Sequence, residues 1–204
     1  MADLSYVFFN FDLMSITQAY EAGRDALLQH VARAEEAYRS HVASVAAGEA
    51  VDIIKDEESG QTFDVGDHIY HSQETARDML NLHRQAFAVM LHHAWERHVC
   101  AVRHYPEYQC NKAYGEMAKA GWPIDRFRLE RLRMVANCVK HDSGELYDYH
   151  PELFDAANLP PSSEGEKPQR HWQDALRLAD ADVTDFVDAV RRSACRPVKH
   201  PFRG

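Results

Sequence analysis

From Leu13 to Ala47 the positions Ile16, Tyr20, Leu27, Val31, Ala34, Tyr38, Val42 and Val45 recur at three- and four-residue spacing, with Arg33, Glu35, Glu36 and Arg39 between them. Such a stripe marks a long amphipathic helix. Gly48 suits its C-terminal end, where a left-handed backbone costs glycine no Cβ clash. Ser72 is a candidate N-cap with Glu74 in the first turn, and a second helix runs from it to about Tyr105 through Leu80, Phe87, Met90, Leu91, Ala94, Trp95 and Val99. Pro106 stops it. A short helix from Glu107 to Ala120 ends at Gly121, and Trp122-Pro123 introduces another from Ile124 to about His141, its core face being Ile124, Leu129, Leu132, Val135, Ala136 and Val139. Trp172, Leu176, Ala179, Val183, Phe186 and Val190 form one last stripe, which predicts a single closing helix.

Between the first two helices the pattern changes. Val51-Asp52-Ile53-Ile54 and Thr62-Phe63-Asp64-Val65 flank the turn-rich Asp56-Glu57-Glu58-Ser59-Gly60, which reads as a short β-hairpin insert around residues 50–66 or, alternatively, as a long surface loop. Beyond Ser143-Gly144 the chain is irregular, with a short helix around Pro151 to Ala157 and a surface connection through Pro160-Pro161-Ser162-Ser163-Glu164-Gly165. Short links between long helices favour antiparallel neighbours, so the expected fold is all-α: an irregular antiparallel helical bundle. It is read as a single helical domain over residues 1–194 followed by a flexible basic tail, 195–204, that carries Arg196, Lys199 and Arg203 between Pro197 and Pro201.

Composition narrows the function classes. With 204 residues, 45% of them apolar and 27% charged, the chain belongs with ordinary globular proteins rather than disordered ones. A formal charge of −9 excludes nucleic-acid binding driven by overall charge and leaves a local basic patch as the route to a phosphate. The four cysteines, Cys100, Cys110, Cys138 and Cys195, lack the paired short spacings of a zinc knuckle or a disulfide framework, which fits reduced thiols and a cytoplasmic location. The apolar run Tyr6-Val7-Phe8-Phe9 is broken by Asn10 and Asp12 and has no basic leader, so neither a signal peptide nor a membrane segment is expected.

Two constellations carry candidate chemistry. At roughly 100° per residue, Arg126, Glu130, Arg133, Asn137 and His141 fall on one stripe beside the apolar face of their helix. Arginine offers a permanent charge for phosphate, asparagine a positioning donor, and histidine a proton shuttle near neutral pH, the parts needed to cleave a phosphodiester by 2′-hydroxyl attack. The plainer reading is a solvated helix face whose last turns form a cap. The second constellation is His83, His92, His93, Glu96 and His98; His92 and Glu96 lie one turn apart and could ligate a metal if other elements supplied partners. Among thirteen histidines such spacings also arise without a site. Tyr105, Tyr108, Tyr114, Trp122, Tyr147 and Tyr149, with Arg103 and Arg128, offer stacking surfaces for bases or, more simply, packing at helix ends.

The helix ending Asn137-Cys-Val-Lys-His141, together with the earlier helix Arg84-Gln-Ala-Phe-Ala-Val-Met-Leu-His-His-Ala-Trp-Glu96, resembles the HEPN superfamily of helical nucleotide- and RNA-acting proteins. Its members carry an arginine, a polar residue and a downstream histidine late in one helix, faced by an acidic residue on an earlier one. The resemblance implies a HEPN-like bundle acting on or binding RNA in a bacterial defence or toxin context. It also implies phosphodiester cleavage without metal or cofactor, and a homodimer with the site assembled across two Asn137/His141 stripes. In that scheme His141 shuttles the proton, Asn137 positions, Arg133 meets the phosphate and Glu96 orients the group, with Lys140, Arg126 and Glu130 on the substrate side. The usual pattern puts arginine directly before the polar residue, where this chain has Ala136; Arg133, one turn earlier, or Lys140 would then supply the cation. The resemblance also allows a protein partner in a defence or toxin–antitoxin system; the rival expectations are a non-catalytic helical interaction module with a degenerate site, and a metal-dependent enzyme built on His92 and Glu96.

Overall fold

A computed structural model of the chain describes residues 4–56, 58–104, 109–160 and 171–194. Seven α-helices follow one another among the described residues: α1 (Leu4–Ala46), α2 (Val65–Arg103), α3 (Cys110–Lys119), α4 (Arg126–His141), α5 (Glu145–Tyr149), α6 (Trp172–Ala175) and α7 (Asp180–Ser193). Strands β1 (Ile53–Lys55) and β2 (Thr62–Asp64) lie between α1 and α2. The fold is the expected all-α bundle with a small hairpin. Its backbone contacts divide the chain into two compact units, residues 1–20 with 84–204, and residues 21–83.

In the unit of residues 21–83, α1 ends as its glycine requires. Gly48 adopts φ +75°, its N–H donates to the Val45 carbonyl at 3.0 Å, and the Glu49 N–H reaches back to the Ser44 carbonyl at 2.9 Å, the paired bonds of a Schellman end. The hairpin pairs Ile53 with Asp64, Ile54 with Phe63 and Lys55 with Thr62, antiparallel. All six residues are exposed, so this sheet adds no core. The start of α2 differs from the expectation at Ser72: Asp64 accepts the Asp67 N–H at 2.8 Å and the helix begins at Val65. An aspartate at the end of β2 satisfies a first-turn amide two turns earlier, which leaves Ser72 as an exposed helical residue. Gly23, in mid-helix, marks a close approach, since a Cβ there would lie 2.6 Å from Cε1 of His83.

The other unit holds the main hydrophobic core, with Trp95, Phe87, Phe186, Leu13, Leu91, Met117, Leu129 and Leu132 almost wholly buried. Helix α4 packs against α5, α6 and α7. Asp125 caps its first turn through the Arg128 N–H and donates its own N–H to Ser193 Oγ at 2.9 Å, so the start of α4 is fastened to the end of α7.

The single closing helix expected from Trp172 to Val190 is instead two. Residues 176–179 are not helical because their hydrogen bonds go elsewhere: the Arg177 N–H donates to the Leu153 carbonyl at 2.7 Å, the Asp155 N–H donates to the Ala175 carbonyl at 2.8 Å, and Leu176 forms a β-bridge with Phe154. Asp182 then accepts the Ala179 N–H at 2.8 Å and starts α7. The apolar stripe survives the break because Leu176 and Leu178 are buried in the extended link itself. The short helix expected around Pro151 to Ala157 is two 3₁₀ turns, Pro151–Leu153 and Ala156–Asn158. The connection through residues 161–165 and the tail from 195 lie outside the described residues. No described helix is long and apolar enough to cross a membrane.

Candidate functional site on helix α4

The sequence of α4 sorts itself by the helical period into two faces. Leu129, Leu132, Met134, Val135, Ala136 and Cys138 are buried against the core. Glu130, Arg133 and Asn137 are half-buried along its edge, and Arg126, Lys140 and His141 are exposed at its two ends. Arg126 lies over the ring of Tyr114, 5.9 Å from its centroid, away from the other members of the stripe. Burial also isolates Cys138: desolvation, with the nearby Asp142 charge, pushes its thiol up to about 12, so it is an inert core residue.

Arg133 is held from both sides. Its Nε donates to Glu130 Oε1 at 3.1 Å and its Nη2 to Glu145 Oε1 at 3.0 Å, across from the first residue of α5. Partial burial works against its charge, but the Glu145 hydrogen bond and the Glu130 carboxylate more than compensate and hold the guanidinium firmly protonated.

On α2, His92 lies within electrostatic reach of this helix, because the charges of Lys140 and Arg133 both bear on it. Burial is the main reason that the His92 imidazole is pushed down to about 4; Lys140, His93 and Arg133 add to it, and the Glu96 carboxylate opposes it. At neutral pH His92 is therefore uncharged. Glu96 accepts from His93 Nδ1 at 2.8 Å and lies 3.6 Å from His92 Nδ1. Its nearest hydrogen-bonding partner is thus a neighbour on its own helix rather than Arg133, Asn137 or His141.

The end of α4 is built by Asp142, to which the sequence pattern assigns no role at the helix end. Asp142 takes the left-handed conformation, φ 53° and ψ 41°, which terminates the helix immediately after His141. Its carboxylate accepts the Trp172 N–H at 2.5 Å and pairs with His171 Nδ1 at 2.8 Å. Glu145, twelve positions beyond Arg133, was likewise invisible, since no helical period connects the two. The single local signal for Asp142 was its place beside Ser143-Gly144 at the point where the periodicity stops.

The structure therefore gathers Arg133, Lys140, Glu96 and His92 into one neighbourhood, with His141 exposed at its edge and Asn137 between. Within one copy of the chain, the side chains of His141 and Asn137 make no hydrogen bond to the side chains of Arg133 or Glu96 among the described residues. Among the described residues, His92, His93 and Glu96 form the cluster whose ligand atoms come within 4.8 Å of one another and which could hold a metal ion. The two cations of α4 beside it work against a divalent ion there. No protein-family model matches the chain, and no curated protein and no solved structure shows significant similarity to it.

Proposed function

We propose that this chain is a HEPN-like module that acts on RNA in a bacterial defence or toxin setting, cleaving the phosphodiester without metal when two copies meet. The observation that carries the reading is the Arg133-Asn137-His141 stripe with Lys140, a polar ridge on a helix whose other side is core, set against the Glu96 turn of α2. Two copies facing each other through α4 bring two exposed His141 side chains to one phosphate. One imidazole accepts the proton of the 2′-hydroxyl as its oxygen attacks phosphorus; the second returns a proton to the departing 5′-oxygen, leaving a 2′,3′-cyclic phosphate. Arg133 and Lys140 balance the charge that grows on the non-bridging oxygens, and Asn137 donates to one of them.

The test is cleavage of a panel of structured and single-stranded RNAs in excess chelator by wild type, His141→Ala and Arg133→Ala. The expected result is cleavage by wild type that falls by at least about a hundredfold in His141→Ala. Inactive wild type, or full activity in His141→Ala, sinks the proposal.

A second reading has its own observation. Ala136, the position where the resemblance calls for arginine, is fully buried, and Arg133 is already neutralised by two carboxylates. In that reading the stripe is a non-catalytic contact surface for a protein partner, and RNA is neither cut nor bound.

A further inference from the structure

The chain's charge is not spread evenly. Residues 21–83 hold 13 Asp and Glu against 5 Lys and Arg, whereas the rest of the chain holds 19 against 18. Almost the whole negative charge of the protein thus belongs to the smaller unit. Within that unit lies a cavity of about 370 Å³ between the last turns of α1, the hairpin and the first turns of α2. Its size is that of an ordinary small-molecule site.

The lining has a definite chemistry. Three carboxylates, Asp52, Asp64 and Asp67, border it, and no lysine or arginine does. Each carboxylate uses one oxygen in a structural contact: Asp52 with His41 Nε2 at 2.9 Å, Asp64 with the Asp67 N–H at 2.8 Å, and Asp67 with His71 Nε2 at 3.4 Å. The second oxygen of each makes no hydrogen bond among the described residues. Tyr38 and Tyr70 stand edge to face with centroids 5.9 Å apart, and Val42 and Val45 complete an apolar strip on α1. Gly66 lets Asp52 lie close against the start of α2, since a Cβ there would overlap Asp52 Oδ1 and the carboxylate would have to shift.

We infer that this cavity binds an alkylammonium ion, with the aromatic faces and carboxylates taking the cationic head and the valines its methylene stem. Aromatic rings attract ammonium groups through their negative faces, and the effect grows where carboxylates share the site. A bare metal ion fits less well: the carboxylates and His41 do not converge, since among the described residues the group of three whose ligand atoms lie within 4.8 Å of one another is His92, His93 and Glu96. Dispersed carboxylates suit an extended cation with several hydrogens to donate. The acidic unit as a whole would steer such a ligand inward. The chemistry is shared by two sources, a free polyamine and the lysine side chain of a partner protein.

The experiment titrates the full chain by calorimetry with spermidine, with a peptide bearing one lysine, and with the same peptide acetylated on that lysine. Saturable one-to-one binding of spermidine or of the unmodified peptide is expected, weakened about fivefold or more in Asp67→Asn and in Tyr70→Leu. Glu36→Gln and Glu49→Gln, outside the lining, should leave it unchanged. Tighter binding of spermidine identifies a soluble amine; tighter binding of the peptide, lost on acetylation, identifies a protein side chain. Absence of saturable binding to either, equal weakening by the outside substitutions, or unaltered binding in Asp67→Asn and Tyr70→Leu with both variants folded by circular dichroism, overturns the inference. So does displacement of spermidine by equimolar Mg²⁺.

Discussion

His92 makes the stability of this protein depend on pH in a way that can be isolated. In the fold its imidazole is pushed down to about 4 by burial and by Lys140, His93 and Arg133, against an ordinary value of 6.5. Above about pH 6.5 the group is neutral in both folded and unfolded chains and contributes no pH dependence. Between that value and about 4 the unfolded chain binds a proton that native His92 refuses, so stability falls as pH falls. The difference in proton binding amounts to a loss of about 2 kcal/mol at pH 5 and approaches about 3 kcal/mol below pH 4. The assay is urea unfolding of wild type and His92→Gln at pH 7.5 and pH 5, followed by far-ultraviolet circular dichroism. Every other titrating group is common to the two proteins, so the drop in unfolding free energy between the two pH values should be smaller in His92→Gln by about 2 kcal/mol. Equal drops in the two proteins would refute the argument, and with it the claim that His92 is neutral in the native state.

At Asp142 the conformational and hydrogen-bonding roles separate by substitution. Asn keeps both in weaker form, Gly keeps the left-handed turn alone, and Ala keeps neither, so thermal unfolding should rank Asp142→Asn above Gly above Ala, the last costing about 2–4 kcal/mol. The Asp142 partner, His171, has its proton affinity raised by that hydrogen bond and by the Asp142 charge. Its contribution is present below about pH 6.5 and lost as pH rises through the raised value, so the gap in melting temperature between wild type and His171→Ala should narrow from pH 6 to pH 9. Gly23→Ala, which in an open helix gains about 1 kcal/mol, should destabilise here because its Cβ meets the His83 ring; adding His83→Ala should restore the gain. Alkylation followed by peptide mapping should find Cys138 unmodified in native protein at pH 8 and modified in denaturant.

Most of the fold was legible because the helices announce themselves locally. Gly48 and Gly121 end α1 and α3 with positive φ, as their places after the last apolar repeats suggested. The break at Leu176 was not legible. Its stripe stays apolar through the extended link, and the Leu153 carbonyl and Asp155 N–H that draw it out of the helix lie twenty or more residues away in sequence. The start of α2 was misplaced for a different reason: Asp64 and Ser72 are both competent caps, and local chemistry does not choose between them. At the candidate site, the stripe itself could be read from its period, whereas the pairing of Arg133 with Glu145 and of Asp142 with His171 depends on how α5 and α6 fold back.

Helix ends ordinarily fray, and a side chain on the last residue inherits that motion. The last residue of α4 is His141, yet its end is tied through Asp142 to a stretch of chain thirty positions away. The two segments therefore open as one cooperative unit. Amide hydrogen exchange in the closing turn of α4 should share its opening free energy with the amides of Trp172 and Arg177, and a partner that grips residues 171–177 would set how often His141 is released from its native position.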